Sequence, residues 1–213
     1  MKRLIVIVLV LGVGASLFAQ QLSEFHYASG DWRMVGSRLY QNDAKAPLAK
    51  VNIRVPQSGP MIYEFNARYE DGPRKTHGGF GIHIFADNVF HGTSWGSGTS
   101  YLLWLNYDEN PISRDIPVGL SAQVYRSISN SQMDLIESVD LNEFVGLLAY
   151  ENLANPLPIK IWADGDTGEV RVYDPTDPAF DYYYYFYLPT KNLKGNWISL
   201  RTNELKLSFG FGY

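Results

Sequence analysis

Rings, planar amides and guanidinium groups recur at alternate positions of apolar runs in this chain, which is the chemistry of a sugar-binding surface. In the run from Pro60 to Tyr69, Tyr63 and Phe65 fall on one side of a strand and Asn66 and Arg68 on the other. If the first side is the core, the second faces a ligand, with rings beneath sugar C–H faces and polar groups at the hydroxyls. Across the neighbouring strands the predicted ligand residues are Asn66, Arg68, His83, Trp104, Asn106, Gln123, Tyr125, Trp162 and Arg171.

The same alternation is also typical of a second packed layer. Aromatic side chains fill protein interiors as readily as they line binding sites. The sequence leaves open whether this face is accessible or covered by the chain itself.

Metal chemistry has weaker support. Asp164 and Asp166 lie on one tight loop and are hard oxygen ligands of the kind that calcium binds, but a third or fourth ligand is lacking. Aspartates are also the residues that close tight turns. His77, His83 and His91 have no metal-like spacing. We therefore expect no cofactor, with calcium at Asp164 and Asp166 as the open alternative.

The element that organises the rest is a hairpin between Asn155 and Pro175. Two alternating runs, Ile159 to Ala163 and Val170 to Tyr173, flank a polar loop of Asp, Gly and Thr residues. A lone hairpin is barely stable in water, so this one must belong to a larger sheet.

Short β-like runs of this kind occupy most of the chain. Ten to twelve strands are expected, with one short helix over residues 142–155 and a final β-like run over residues 197–213. Gly, Pro and aromatic residues are abundant, which favours strands and turns. The predicted fold class is all-β, a two-sheet antiparallel sandwich, in one domain over residues 20–213.

The N-terminus predicts export. Lys2 and Arg3 precede an apolar run from Leu4 to about Phe18, followed by Ala19 and polar residues. This is the pattern of a cleaved signal peptide over residues 1–19, and the run is shorter than the ~20 residues that cross a bilayer. A membrane anchor is the alternative. We expect a bacterial periplasmic or extracellular protein.

Cysteine content bears on how the fold is stabilised, and net charge bears on which classes of partner can bind. The chain has no Cys, so packing rather than disulfides must stabilise it. Removing Lys2 and Arg3 from the 18 basic residues leaves 16 against 22 acidic ones, a net charge of −6. Such a chain offers no attraction to phosphate backbones, so nucleic acid is not expected as a partner.

Several segments together resemble the concanavalin A-like jelly roll of laminin G-type domains, legume-lectin relatives and family 16 glycoside hydrolases. They most resemble the bacterial family 16-like or 3-keto-disaccharide hydrolase domain. The matching segments read G-D-W-R-M-V-G-S-R-L-Y-Q, Y-E-F-N-A-R-Y, G-G-F-G-I-H-I-F, P-I-K-I-W-A-D-G-D-T-G-E-V-R-V-Y and G-N-W-I-S-L-R-T-N-E-L-K-L-S-F. The resemblance covers most of the chain, but these motifs are structural and do not fix an activity.

A family 16 activity would need two carboxylates on one face of a strand. The family's motif is E-x-D-x-x-E, whereas this chain has Glu137, Asp140 and Glu143 in E-x-x-D-x-x-E spacing, with Asp134 nearby. The spacing puts Glu137 and Asp140 on opposite faces. We therefore expect solvated charges on an edge strand or helix start, and no catalytic residues.

Two other patterns support further alternatives. The ring-rich run from Tyr182 to Tyr187 is typical of a docking surface or a covered edge strand, and Phe90, His91 and Trp95 lie in a loop that could rim a site. The C-terminus alternates as outer-membrane β-barrel proteins do, through Leu205, Leu207, Phe209, Phe211 and Tyr213.

The sequence thus predicts an exported, non-catalytic module that binds carbohydrate or serves a structural role in the cell envelope. The expected partner is a glycan or another envelope protein, without stable membrane insertion after signal cleavage. The alternatives are a docking component of a periplasmic or surface assembly, such as a flagellar-sheath-like scaffold, a family 16-like hydrolase, and an outer-membrane barrel.

Overall fold

The computed structural model describes residues 25–72, 77–144, 155–177, 179 and 181–211. Fourteen strands make up nearly all of the regular structure in these ranges. In chain order they are β1 (Phe25–Ser29), β2 (Trp32–Val35), β3 (Arg38–Gln41), β4 (Ala49–Ser58), β5 (Pro60–Asp71), β6 (His77–Ala86), β7 (Ser100–Asp108), β8 (Gly119–Ser127), β9 (Met133–Asp140), β10 (Leu157–Asp164), β11 (Glu169–Tyr173), β12 (Tyr183–Tyr187), β13 (Lys194–Asn203) and β14 (Lys206–Gly210).

The strands form two seven-stranded antiparallel sheets. Sheet I has the order β1-β4-β13-β6-β7-β8-β9, and sheet II has the order β12-β11-β10-β5-β14-β3-β2. The two sheets pack face to face around one apolar core. The prediction of an all-β, two-sheet antiparallel jelly roll is confirmed.

Alternation along the strands explains why the sheets stack. On β5, Tyr63, Phe65 and Ala67 are buried between the sheets, and on β6 Phe80 and Ile82 face them from the other side. These are the positions that strand alternation assigns to the core. Their burial removes apolar surface from water and drives the packing of the layers.

The predicted hairpin is β10 and β11. Ile161 lies opposite Val172 within it and opposite Tyr63 of β5, so the hairpin extends sheet II. The turn is closed by the amide of Gly168, which donates to the carbonyl of Asp164 at 2.8 Å. Gly168 has a φ of 80°, a conformation that glycine adopts at little cost.

The C-terminal run forms two strands. β13 lies in sheet I and β14 in sheet II, so the chain changes sheets between them. Glu204 has a φ of 53° at this corner, and its amide donates to the carbonyl of Ala46 at 2.8 Å. Tyr213 is outside the described residues.

The predicted helix is largely untested. Residues 142–144 form a 3₁₀ turn, and residues 145–154 lie outside the described ranges, as does the predicted signal peptide over residues 1–19. In the part of the chain that the structure describes, no helix has the length and apolar character needed to cross a membrane.

A bulge in β6 changes the direction of one side chain. Simple alternation puts Phe85 on the same side as His83, yet Phe85 is buried in the core. Its φ is 55°, and the register between β6 and β13 shifts between Trp197 and Ser199. The extra residue of a bulge turns the following side chain to the other face, so strict alternation from the sequence mispredicts Phe85.

Candidate functional site

The nine predicted ligand residues do not share one surface. They divide between the outer faces of the two sheets, which point away from each other on opposite sides of the core. The outer face of sheet I carries His83, Trp104, Asn106, Gln123 and Tyr125, and that of sheet II carries Asn66, Arg68, Trp162 and Arg171. The expectation of a single surface is corrected, because alternation separates inside from outside but does not say which sheet a strand joins.

A row of side chains crosses the outer face of sheet I. Lys50 of β4 lies opposite Arg201 of β13, and Arg201 lies opposite Gly81 of β6. Gly81 lies opposite Trp104 of β7, which in turn lies opposite Gln123 of β8. Two cationic side chains, a ring and an amide therefore follow one another across five adjacent strands.

Arg201 forms the centre of this face. Its guanidinium carbon is 4.4 Å from the ring centroid of Trp95 and 5.2 Å from that of Trp104. Nη1 donates to the carbonyl of Trp95 at 2.7 Å, and Nε donates to Oδ1 of Asn203 at 3.1 Å. Arg201 is only 2% exposed, whereas Trp95 is 49% exposed. We call Trp95, Trp104, Arg201, Asn203 and Asn106 the sheet I site.

Trp104 is held in place against the sheet. A Cβ added at Gly79 would lie 2.5 Å from Cζ2 of Trp104, so the indole covers the strand where a side chain is absent. The indole Nε1 donates to Oδ1 of Asn106 at 3.1 Å. Because Gly79 has no side chain, the Trp104 ring can lie against the strand, where it contacts Arg201.

The loop between β6 and β7 covers part of this face. Nζ of Lys50 donates to the Ser94 carbonyl at 2.8 Å, to the Ser94 hydroxyl at 2.9 Å and to the Gly96 carbonyl at 2.6 Å. Burial of Lys50, and to a smaller extent the charge of Arg201, lowers the pKa of Lys50 to about 7. These bonds fasten the segment that carries Trp95.

His83 lies beneath that loop and is out of reach of a ligand. It is fully buried, and Nδ1 lies 3.0 Å from the Ser100 hydroxyl. Burial, followed by the charges of Lys50 and Arg201, lowers the pKa of His83 well below its ordinary value. His83 is therefore a neutral part of the packing and not a group on the open surface.

Gln123 and Tyr125 are ordered by each other. The Tyr125 hydroxyl donates to Oε1 of Gln123 at 2.7 Å, and Nε2 of Gln123 donates to the Ser121 hydroxyl at 2.9 Å. Gln123 is buried, whereas Tyr125 and Asn106 are half-buried. Tyr125 and Asn106 therefore remain on the accessible rim of the sheet I site.

The outer face of sheet II pairs its cations internally. Arg171 lies between the rings of Trp162 and Tyr183, 4.5 and 5.1 Å from their centroids, and its Nε is 2.7 Å from a carboxylate oxygen of Glu169. Nε of Arg68 is 2.7 Å from a carboxylate oxygen of Glu70. Asn66 also has a partner within this face, since its Oδ1 accepts from Nη1 of Arg38 at 2.5 Å.

The carboxylates of β9 do not form a catalytic pair. Glu137 lies opposite Val124, a core residue, whereas Asp140 lies opposite Ser121, so they occupy opposite faces as the alternation predicts. Oδ1 of Asp140 accepts from the amide of Asn142 at 2.8 Å. Two carboxylates on different faces cannot flank one glycosidic bond.

The calcium alternative finds no support in the loop geometry. Oδ1 of Asp164 accepts from the amide of Asp166 at 3.0 Å, and Oδ2 accepts from the Thr167 hydroxyl at 3.0 Å. Both carboxylate oxygens of Asp164 therefore close the turn. No group of three or more His, Cys, Asp or Glu residues in the described ranges could hold a metal ion.

No protein-family model and no curated protein matches this sequence. Solved structures do match the fold. The legume lectin-like domain from Entamoeba histolytica has a TM-score of 0.59 at 8% identity and covers 90% of this chain and 89% of its own. The carbohydrate-binding module CBM66 from Bacillus subtilis has a TM-score of 0.53 at 11% identity, with coverages of 88% and 92%.

The carbohydrate recognition domain of Emp46p, in its metal-free form, also matches, with a TM-score of 0.53, 11% identity and coverages of 97% and 95%. This chain has the concanavalin A-like jelly-roll fold. Identities this low establish the fold alone, and they do not transfer a ligand. A potassium-bound form of the Emp46p domain matches as well, with a TM-score of 0.52 at 10% identity.

Within the concanavalin A-like fold, sequence reasoning missed three residues of the outer face of sheet I. Lys50, Arg201 and Asn203 lie at outward positions of β4 and β13, in the runs L-A-K-V-N and S-L-R-T-N. A buried charge at such a position looks like an ordinary solvated charge in the sequence. The alternation of apolar neighbours was the available signal. It shows which way a side chain points, but not whether that side chain is buried.

Proposed function

We propose that this protein is an exported, non-catalytic carbohydrate-binding module of the cell envelope, and that sugar binds at the sheet I site. The observation that carries the proposal is the half-exposed ring of Trp95, held from beneath by the buried guanidinium of Arg201. An aromatic ring fixed at the surface provides a platform for the apolar face of a sugar.

Polar groups around the ring supply the rest of the chemistry. Asn203, Asn106 and Tyr125 are half-buried, so each has a polar end within reach of solvent. Planar amides and a phenol hydroxyl donate to and accept from sugar hydroxyls. Because these side chains are already tied to Arg201, Trp104 and Gln123, little side-chain entropy is lost on binding.

The similarity in fold to a carbohydrate-binding module and to lectin-like domains supports this proposal. The sheet II face supports it less well. Its central ring, Trp162, is already covered by Arg171, which is neutralised by Glu169.

The test is a glycan array followed by titration calorimetry on the best ligand. Trp95→Ala should weaken binding at least about tenfold, the effect expected when an aromatic anchor is removed. Phe90→Ala is the matched control, since Phe90 lies in the same loop and is 48% exposed. Absence of binding by the wild type to every glycan would reject the proposal, and so would equal binding by the wild type and the Trp95 variant.

Export remains part of this proposal and rests on the signal-like residues 1–19. Fractionation of expressing bacteria, with the mass of the purified protein, tests it. We expect a periplasmic or extracellular product that lacks the apolar segment. A cytoplasmic product of full mass would contradict the proposal.

A second candidate function is docking of another envelope protein on β12. This strand is the last in sheet II, and its edge carries no charged residue from Tyr182 to Leu188. Tyr183, Tyr185 and Tyr187 are all exposed. Natural edge strands usually carry charges or prolines that block pairing, so an edge without them favours an added strand.

Tyr185→Lys tests this second function. The change should abolish capture of an envelope partner by the tagged protein while glycan binding stays unchanged. Arg33→Lys, an outward substitution on the other end strand of sheet II, is the control. A partner retained by the Tyr185 variant would exclude this edge.

A further inference from the structure

We propose that the sugar recognised at the sheet I site is acidic, and that its carboxylate binds the guanidinium of Arg201. This inference rests on the proposed function and adds the class of ligand. It follows from the unpaired basic side chains beneath the site, from the unpaired Nη2 of Arg201 and from the contrast with the arginines of sheet II.

The basic side chains beneath the site have no acidic partner. Lys50 and Arg201 lie side by side on neighbouring strands, 1% and 2% exposed, and His83 is buried beside them. No carboxylate contacts any of these three side chains among the described residues; their hydrogen bonds go to carbonyl, hydroxyl and amide oxygens. Arg201 is poorly solvated because it is buried, and this burial lowers its pKa to about 10.

Arg201 keeps one donor edge open. Nε and Nη1 are occupied by Asn203 and by the Trp95 carbonyl. Nη2 has no hydrogen-bond partner in the described part of the chain, and it is not among the fully buried unpaired atoms. Nη2 therefore has a trace of exposure, on a residue that is 2% exposed and whose guanidinium carbon lies 4.4 Å from the ring centroid of Trp95.

A carboxylate suits this edge better than a neutral group does. A poorly solvated guanidinium gains most from an anion, and a charge-assisted hydrogen bond is roughly twice as strong as a neutral one. The two rings that flank Arg201 hold the guanidinium plane fixed, so the direction of Nη2 is set before the ligand arrives. A uronic acid on Trp95 combines the apolar face and the anion.

Two arginines on the other sheet have carboxylate partners, unlike Arg201. Arg68 and Arg171 lie on the outer face of sheet II, each 2.7 Å from a carboxylate oxygen of the chain itself. Arg201 is more buried than either and has no such partner. The whole chain has a net charge of −4, so the protein as a whole does not attract polyanions.

The test uses the full-length mature protein and an array of matched acidic and neutral oligosaccharides: galacturonate with galactose, glucuronate with glucose, and mannuronate with mannose. We expect at least one acidic member to bind about tenfold or more tightly than its neutral partner, and the preference to shrink as salt rises. Titration calorimetry then repeats the best pair with the uronate and its methyl ester.

Variants locate the binding. Arg201→Lys keeps the charge but loses the planar fork, so we expect the preference for the acid over the ester to fall toward one. Trp95→Ala should weaken acid and ester alike. Arg171→Lys, on the opposite face, should change neither. If Arg201→Lys does not fold, two other measurements still test the inference. They are the ratio of acid affinity to ester affinity in the wild type, and the loss of both affinities in Trp95→Ala.

The outcomes separate this inference from the proposed function. Equal binding of acid and ester, or binding of neutral sugars alone, overturns the acidic ligand and leaves carbohydrate binding in place. No binding to any member overturns both. An acid preference that survives in folded Arg201→Lys, or acid binding unaffected by Trp95→Ala, places the anion elsewhere and overturns the inference.

Discussion

The hydroxyl of Tyr184 donates a hydrogen bond to Oε1 of Glu137 at 2.7 Å. Tyr184 belongs to β12, the end strand of sheet II, and Glu137 to β9, the end strand of sheet I. The bond therefore ties the two sheets together at one edge of the sandwich. Glu137, which spacing alone makes a weak catalytic candidate, has a structural partner.

Removing that bond should loosen the edge. Tyr184→Phe should lower the free energy of unfolding by about 1 kcal/mol, the usual net value of such a bond, because the ring stays and only the hydroxyl is lost. Urea denaturation measures the change. Glu137→Gln and the double variant complete a cycle, and additive effects would show that the two residues do not interact.

The buried Lys50 predicts a pH dependence of stability. Its pKa is about 7 in the folded state against 10.5 ordinarily, so between these values the unfolded chain holds one more proton. The free energy of unfolding should therefore rise with pH in this window, by up to ~1.4 kcal/mol per pH unit, and the contribution should level off below pH ~7.

Denaturation of the wild type and Lys50→Met between about pH 7.5 and about pH 9 isolates this slope. His83, already neutral, and Arg201, with a pKa of about 10, face Lys50 and stay in one charge state through most of that range. Lys45→Met, at an exposed lysine, is the control and should follow the wild type. Parallel curves for the wild type and Lys50→Met would contradict a buried, neutralised lysine.

Gly79 should tolerate no side chain. A Cβ there would lie 2.5 Å from Trp104 and 2.6 Å from the Leu105 carbonyl, so Gly79→Ala should destabilise the fold by ~1–3 kcal/mol. Displacing the indole should also weaken sugar binding. Thermal denaturation and calorimetry measure both effects. The double variant Gly79→Ala/Trp104→Ala should lose less stability than the sum of the two single losses. Strictly additive losses would show that contact with the indole is not what destabilises Gly79→Ala.

Trp162 should not matter for sugar binding, although sequence reasoning places it among the ligand residues. Arg171 covers its ring at 4.5 Å, and the residue lies on the face opposite the sheet I site. Trp162→Ala should leave the dissociation constant within about twofold and lower stability by about 0.5–1 kcal/mol through the lost cation–π contact. A tenfold loss of sugar affinity would move the site to sheet II.

Much of the fold could be predicted because strand alternation is a local property. Tyr63, Phe65 and Ala67 on β5, and Phe80 and Ile82 on β6, face the core as their spacing requires. The hairpin of β10 and β11 followed from its turn residues. Phe85 was misplaced because a bulge, with its φ of 55°, cannot be read from residue types.

The proposed sheet I site contains only some of the predicted ligand residues. Trp104, Asn106 and Tyr125 do lie near Arg201, but the prediction joined them to Asn66, Arg68, Trp162 and Arg171 on the other side of the molecule. On β5 and on most of β6, the inner and outer positions were assigned correctly. The sequence did not show which strands pair with each other, and so which sheet each strand joins. Strand pairing depends on contacts between residues far apart in sequence.

By itself, the sequence determined the class of structure and the direction of most side chains, since both follow from the two-residue repeat of a strand. Only the tertiary structure decided that β13 and β14 separate into different sheets, that a loop seals His83, and that Lys50 and Arg201 are buried together. The burial of a side chain depends on which distant parts of the chain pack over its strand, and a local sequence pattern does not specify that packing.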